Sequence, residues 1–149
     1  MKKKKTKSKR IINKKARFNY QILDEVEAGI ALTGAEVKAF RRGAVDLSNS
    51  FAKFLDGQLY LVNANFAIEN ATDESSTRSR KLLLHKKELF SLNAKIKAKN
   101  LTFVPVAMYT RGRFVKISLG LAKPKKKADK RQDLRMKAIK RDIEREIKG

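Results

Sequence analysis

The sequence predicts a mainly β fold with helices, an OB-like closed antiparallel barrel with flanking helices and a basic C-terminal tail. Three observations lead there. Short alternating runs recur along the chain, and two pairs of them face each other across tight turns, one at Asp56-Gly57 and one around Gly112, as β-hairpins do. Helical spacing within the body is confined to two stretches, so strands outnumber helices, which suits a Greek-key barrel with helices over its openings. Charge is gathered at the ends: of 37 Lys and Arg among 149 residues, seven fall in residues 1–10 and twelve in residues 122–149, whereas the segment between carries 18 against 10 acids.

Taken in order, residues 1–12 form a basic arm with no apolar period and strong self-repulsion, expected to be disordered alone. Alternation begins at Phe18, Tyr20 and Ile22, passes the acids Asp24, Glu25 and Glu27, and bends at Gly29. The next helix begins at a capping box, Thr33 with Glu36 three residues on. Val37 and Phe40 share one of its faces, Lys38, Arg41 and Arg42 lie largely off it, and Gly43 ends it. A connector, residues 45–50, leads into the hairpin FAKFL-DG-QLYLVN, with Phe66 and Ile68 as a possible continuation of its second strand. Residues 69–79, polar and without period, predict a long mobile loop. RKLLLHKK then leads into a helix ending near Ala98, with Leu89, Leu92 and Ile96 on one face and Asn100 as its left-handed closing residue. In the last hairpin, LTFVPVAMY and FVKISLGLA, Pro105 donates no hydrogen bond, so its strand is an edge or carries a bulge. Beyond Ala122 the charge is too dense for packing, yet Met136, Ile139, Ile143 and Ile147 make a narrow helical stripe. A helix with so small an apolar face is expected only on binding. The domain division is therefore an arm over 1–12, a barrel over 13–122 and a tail over 123–149.

The net charge of +22 and pI near 10.5 favour a polyanionic partner, nucleic acid first. No apolar run approaches the roughly 20 residues of a membrane span, and the basic start has no apolar stretch behind it as a secretion signal requires. A cytoplasmic monomer with no membrane partner is the expectation. The absence of cysteine removes disulfides and thiolate metal sites. Catalysis has little to stand on: Glu25 and Glu27 share a strand face and could hold magnesium, but no further carboxylate or histidine completes a site, so no enzyme, metal or cofactor is expected. His85, the only histidine, is either packed or available to stack on a base. Basic groups from three places, Lys38, Arg41 and Arg42, then Arg78, Arg80 and Lys81, then Arg111, Arg113 and Lys116, could line one face of the barrel.

The strings EAGIALTGAEVKAFRRG, RSRKLLLHKKEL and VKISLGLAKPKKKADKR, in this order and spacing, resemble the SsrA-binding proteins, the small protein B partners of transfer-messenger RNA in bacterial trans-translation. The resemblance runs from Asn13 into the tail. It implies a barrel that binds the tRNA-like domain of transfer-messenger RNA and delivers it to stalled ribosomes, and a tail that folds as a helix in the empty messenger channel against small-subunit ribosomal RNA. By motif it implies RNA contacts at Glu27, Leu83, His85 and Lys116, and ribosome contacts at Lys123, Lys125, Lys126, Asp129, Lys130 and Arg131. Pro124 and Ala128 depart from the family, which commonly has glycine at the first position and an aromatic residue or histidine at the second. The rival reading is a ribosomal or ribosome-assembly protein that holds ribosomal RNA permanently.

The charge distribution makes the first expected outcome electrostatic. Affinity for a tRNA-like RNA should fall steeply with salt, its logarithmic slope growing by about 0.7 to 0.9 per neutralised phosphate; a flat titration would contradict the basic-face reading.

Overall fold

The computed structural model describes residues 10–69 and 76–148, so the arm before Arg10 and most of the predicted loop over 69–79 lie outside the described residues. The elements run β1 (Arg10–Ile12), α1 (Lys14–Asn19), β2 (Tyr20–Ile30), α2 (Gly34–Arg41), β3 (Val45–Asp46), β4 (Phe51–Leu55), β5 (Gln58–Val62), β6 (Asn65–Phe66), β7 (Arg80–Leu83), α3 (Lys86–Lys99), β8 (Thr102–Arg111), β9 (Phe114–Pro124) and α4 (Lys127–Lys148). Seven strands form one antiparallel sheet in the order β1-β8-β4-β5-β7-β2-β9, and β9 pairs back onto β8. Six strands therefore follow one another around a ring, with β1 added to it. Inside lie Phe40, Phe66, Phe103, Leu59, Leu61, Leu82, Met108, Ile117 and Leu119, all fully buried.

Both predicted hairpins are present. Asp56 and Gly57 take φ of 51° and 76°, the pair of positive angles that a primed turn needs to match strand twist, and Leu55 faces Gln58 across it. The second hairpin pairs Arg111 with Phe114 and continues to Thr102 opposite Ala122, with a register shift between Pro105 and Ala107. Of the two options for Pro105, the structure takes the bulge. Here β8 also changes neighbour, pairing with β4 at Phe103 and with β1 from Ala107 to Tyr109. Asn13, buried between β1 and α1, fills the gap: its backbone N–H donates to the Val106 carbonyl, and its side-chain amide donates to the carbonyls of Pro105 and Leu47, at 2.8, 2.8 and 3.1 Å.

Three local expectations are corrected. Phe18 belongs to helix α1 rather than to the strand, which starts at Tyr20; only Ala16 of that helix is buried, so its sequence carries no apolar period. Residues 45–46 and 65–66 form a separate two-stranded sheet, β3 with β6, so Phe66 does not extend β5. The folded body also reaches past both predicted boundaries, since β1 pairs with β8 before Asn13 and β9 pairs with β2 as far as Pro124 opposite Tyr20.

At α2 the capping box forms as predicted. The Thr33 N–H donates to Glu36 Oε1 at 2.8 Å, and the Glu36 N–H donates to Thr33 Oγ1 at 3.3 Å. Glu36 does more than cap, because its carboxylate is fully buried and also receives Arg78 and Arg80. Arg80 is fully buried as well. It donates to Glu36, to the carbonyls of Ala64 and Arg78 at 3.0 and 2.8 Å, and to that of Ser76 at 2.9 Å, and its guanidinium lies 4.0 Å from the centre of the Phe66 ring. One side chain thus joins α2, β6, β7 and the end of the 69–79 loop.

Burial alone would raise the Glu36 pKa, but hydrogen bonds from Arg78 and from the Thr33 backbone, with the charge of Arg80, hold it below its usual 4.5. A carboxylate depressed in the folded state stabilises fully above its unfolded pKa, and that contribution is lost as pH falls through the folded value. Glu36→Gln should cost about 3 to 5 kcal/mol in urea denaturation at neutral pH, because it leaves Arg80 buried without its anion. The same variant should lose less further stability than the wild type between pH 5 and 3.

Candidate RNA-binding face

The alternation of β7 sends Arg80 and Leu82 inward and Lys81 and Leu83 outward. Leu83 lies directly opposite Gly29 of β2, Gly29 opposite Lys116 of β9, Lys116 opposite Tyr109 of β8, and Tyr109 opposite Arg10 of β1. Lateral neighbours share a sheet face, so one row crosses five strands: Leu83, Gly29, Lys116, Tyr109, Arg10. It faces outward, Leu83 being 51% exposed and Arg10 exposed. Room at Gly29 is small, since a Cβ there would sit 3.2 Å from that of Leu83. Gly29 itself is buried between the leucine and the lysine, with the Leu83 side chain lying against it.

Two residues along each strand, Glu27 and Arg111 belong to the same face. The Tyr109 hydroxyl donates to Glu27 Oε2, and Arg111 Nη2 stands 3.4 Å from that oxygen. Burial first, then the hydrogen bond to Glu27 and its negative charge, raise the Tyr109 pKa above its usual 10, so the phenol remains a neutral donor through the physiological range. Arg10 lies 5.5 Å from the centre of the Tyr109 ring, and Lys116 lies 5.8 Å from that of Phe114. The face therefore holds one carboxylate in fixed orientation among three cations, with aromatic and aliphatic surface beside them. Cations attract phosphate without regard to sequence, whereas an oriented carboxylate accepts hydrogen bonds from base edges and ribose hydroxyls. Glu25 does not join Glu27; it pairs with Arg17 at 2.8 Å, which separates the two acids that could have shared a metal.

The remaining predicted contacts fall into three groups. His85 is exposed and is the N-cap of α3, but the cap is its backbone, whose carbonyl accepts from Leu89 N at 3.0 Å; its imidazole makes no capping bond. Lys81 is exposed on β7, Lys38 is exposed on α2, and Arg41 lines one side of a groove of about 250 Å³ whose other side carries Arg113 and Phe114. Arg80 has no exposed surface and is removed from the set: its charge is consumed by Glu36 and three carbonyls. Arg78 and Arg42 are tied as well, the first to Glu36, the second to the Ala67 carbonyl and to Glu69.

In the tail, Lys123 and Pro124 still belong to β9, opposite Gln21 and Tyr20. The Lys125 N–H donates to Asn19 O at 2.9 Å and its ammonium pairs with Asp133, while the Lys126 carbonyl accepts from Lys130 N at 3.2 Å. Asp129 lies in the first turn of α4; the Lys130 ammonium approaches the Phe18 ring to 5.9 Å, and Arg131 is exposed. Leu134, Met136, Ile139 and Ile143 are each about half exposed, so the body gives α4 no apolar seat for them. Tyr109, Gly29 and Arg10 are the face residues that sequence reasoning missed. The first was within reach, because counting back from the turn at Gly112 sets Tyr109 opposite Lys116.

Comparison with known proteins identifies a family for the chain. The family model described as SmpB protein matches residues 10–149. An SsrA-binding protein of Thermosynechococcus vestitus is 44% identical over 140 residues, covering 91% of this chain and 92% of its own, and one of Staphylococcus aureus is 44% identical, covering 92% and 91%. A chain in a solved structure described as "tmRNA-SmpB: a journey to the center of the bacterial ribosome" is 46% identical, with a TM-score of 0.66 over 80% of this chain and 86% of that one.

Substitutions on the row should separate attraction from recognition. Lys116→Ala should lower the salt slope of RNA binding by about 0.7 to 0.9 and weaken all RNAs alike. Glu27→Ala and His85→Ala should weaken a tRNA-like RNA more than an unrelated one. Tyr109→Phe should follow Glu27→Ala with a smaller loss, about 0.5 to 1.5 kcal/mol for one hydrogen bond, measured by filter binding of both RNAs at two salt concentrations.

Proposed function

The chain belongs to the SmpB family, the SsrA-binding proteins, and from that membership we propose that it binds the tRNA-like domain of transfer-messenger RNA and delivers it to stalled ribosomes for trans-translation. The observation that carries this reading is a convergence. Gly29 of EAG, Leu83 of KLLLH and Lys116 of VKI come from three distant parts of the sequence and are direct neighbours in one outward row, with Glu27 and Tyr109 beside them. The row gives phosphate attraction through Lys116, Arg111 and Arg10, and polar recognition through Glu27, with Lys38, Arg41, Lys81 and His85 as flanking contacts. The protein acts by binding, in the cytoplasm, without catalysis of its own. No helix among the described residues is long and apolar enough to cross a membrane.

The tail has the second role. Its helix carries Lys130 and Arg131 in the first turns and an exposed apolar stripe further along, and among the described side chains Asp133 pairs with Lys125 while Lys130 and Lys137 stand near the Phe18 ring. Holding a helix with so few contacts costs roughly 1 to 2 kcal/mol of backbone entropy per residue. The empty messenger channel supplies the missing contacts, with Lys123, Lys125, Lys126, Asp129, Lys130 and Arg131 against ribosomal RNA. Pro124 closes β9 and gives this exit a stiffness that glycine would not.

RNA recovered with the protein from cells should be a discrete tRNA-like species in stoichiometric amount; ribosomal RNA alone would favour a ribosomal protein instead. A chain ended after Lys126 keeps all of β9 and the Lys125 bond to Asn19, and should fold and retain RNA binding. Ile143→Pro, which costs about 3 kcal/mol in a helix interior, should leave RNA binding unchanged and impair peptide tagging on stalled ribosomes. Normal tagging by that variant would mean that the helix is not what the ribosome uses.

A further inference from the structure

Beyond the row, the most exposed of the large apolar side chains described is Phe90, at 80%. It sits on α3 away from Leu89 and Leu92, which hold that helix to the core, and one turn after Lys86 and Lys87. Beside it a groove of about 310 Å³ opens between α3 and the β4–β5 turn, at the small end of the range for small-molecule sites. We propose that this groove is a subsite for one unstacked nucleobase of the bound RNA, with Phe90 as its stacking surface. The proposal rests on the RNA-binding function above and adds to it a contact outside the row.

Three features select a base over another occupant. The groove is lined by Phe90 together with Gln58, Asn93, Asp56 and Lys86, and no described residue engages the side chains of these four in a hydrogen bond or ion pair. Two amides and a carboxylate offer donors and acceptors to a base edge, and the ammonium meets a phosphate. The charge of α3 points the same way, with Lys86, Lys87, Lys95, Lys97 and Lys99 against Glu88; a partner that brings apolar planar surface and dense negative charge together is a nucleic acid. Position is the third feature. The N-cap of α3 is His85, two residues after Leu83 at the end of the row, so Phe90 stands five residues along the helix, about 7.5 Å, from a predicted RNA contact.

The test measures affinity of the full-length protein for a transcript of the tRNA-like domain of transfer-messenger RNA. Phe90 lies outside the core, so its variants keep the fold. Phe90→Ala should weaken binding about tenfold, as loss of one base–aromatic stack does. Phe90→Tyr should retain wild-type affinity, and Phe90→Leu should fall with the alanine variant, because leucine keeps apolar bulk but has no ring face. Salt slopes should be unchanged in all three, while Lys86→Ala lowers the slope by about 0.7 to 0.9. Ultraviolet irradiation of the wild-type complex should join Phe90 to a nucleotide, read by mass spectrometry of the digested adduct. Wild-type affinity in Phe90→Ala, or leucine serving as well as tyrosine, overturns the subsite. If Glu27→Ala weakens binding and Phe90→Ala does not, the subsite alone is wrong. If the wild type prefers this transcript no more than unrelated RNA, the proposed function falls with it.

Discussion

The buried pair of Glu36 and Arg80 is the constraint on which the rest of the molecule depends. Side chains on a strand alternate with period two, so a slip of one residue in β7 would send Lys81 and Leu83 into the core. Leucines in RKLLLH are poor guardians of register, since Leu82, Leu83 and Leu84 are interchangeable in chemistry. Arg80 is not interchangeable with its neighbours. Only in the observed register does its guanidinium meet the Glu36 carboxylate and the carbonyls of Ala64, Arg78 and Ser76, and any other deprives the buried carboxylate of its one fully buried counter-ion among the described residues. An interior ion pair thus decides which leucine stands outside opposite Gly29.

The outer face depends on this inner register and on one glycine. Because Gly29 has no side chain, Leu83 can lie against its backbone, where an added Cβ would sit 3.2 Å from the leucine Cβ. Two residues before Gly29, Glu27 is held by Tyr109 and Arg111. The arrangement leaves the Glu27 carboxylate already oriented, so a partner group that donates to it would not pay to order it. In a chain with an excess of 22 positive charges, attraction to phosphate is general, and selectivity has to come from such fixed polar groups.

Much of this was legible in the sequence, and the parts that were not have physical reasons. The hairpins, the Thr33–Glu36 capping box and the left-handed Asn100 follow from local chemistry that needs no tertiary partner. Helix α1 was illegible because it has no apolar stripe; its hold on the body is Ala16, with the buried Asn13 at its cap position. Arg80 was misread as a surface contact because an arginine in a basic run is ordinarily solvated, and its partner lies 44 positions away. The same distance hid the second duty of Glu36, whose capping role explains it fully at short range. Within the site, Glu27, Leu83, His85 and Lys116 were named from motifs, but that Gly29 joins two of them could be seen only once the strands were paired.

The seam between β2 and β9 carries a further consequence, for the order in which the molecule assembles. Tyr20 meets Pro124 and Gly29 meets Lys116, pairings that span most of the chain, whereas β4 with β5 and β8 with β9 close over a few residues. Loop-closure entropy makes the near contacts cheap and early and the distant ones late. During synthesis β2 is made first and must wait for a partner that is made last. Until then its long edge is open to pairing with other chains, and the acids Asp24, Glu25 and Glu27, gathered on this strand in an otherwise basic protein, repel a second copy of the same edge through that interval.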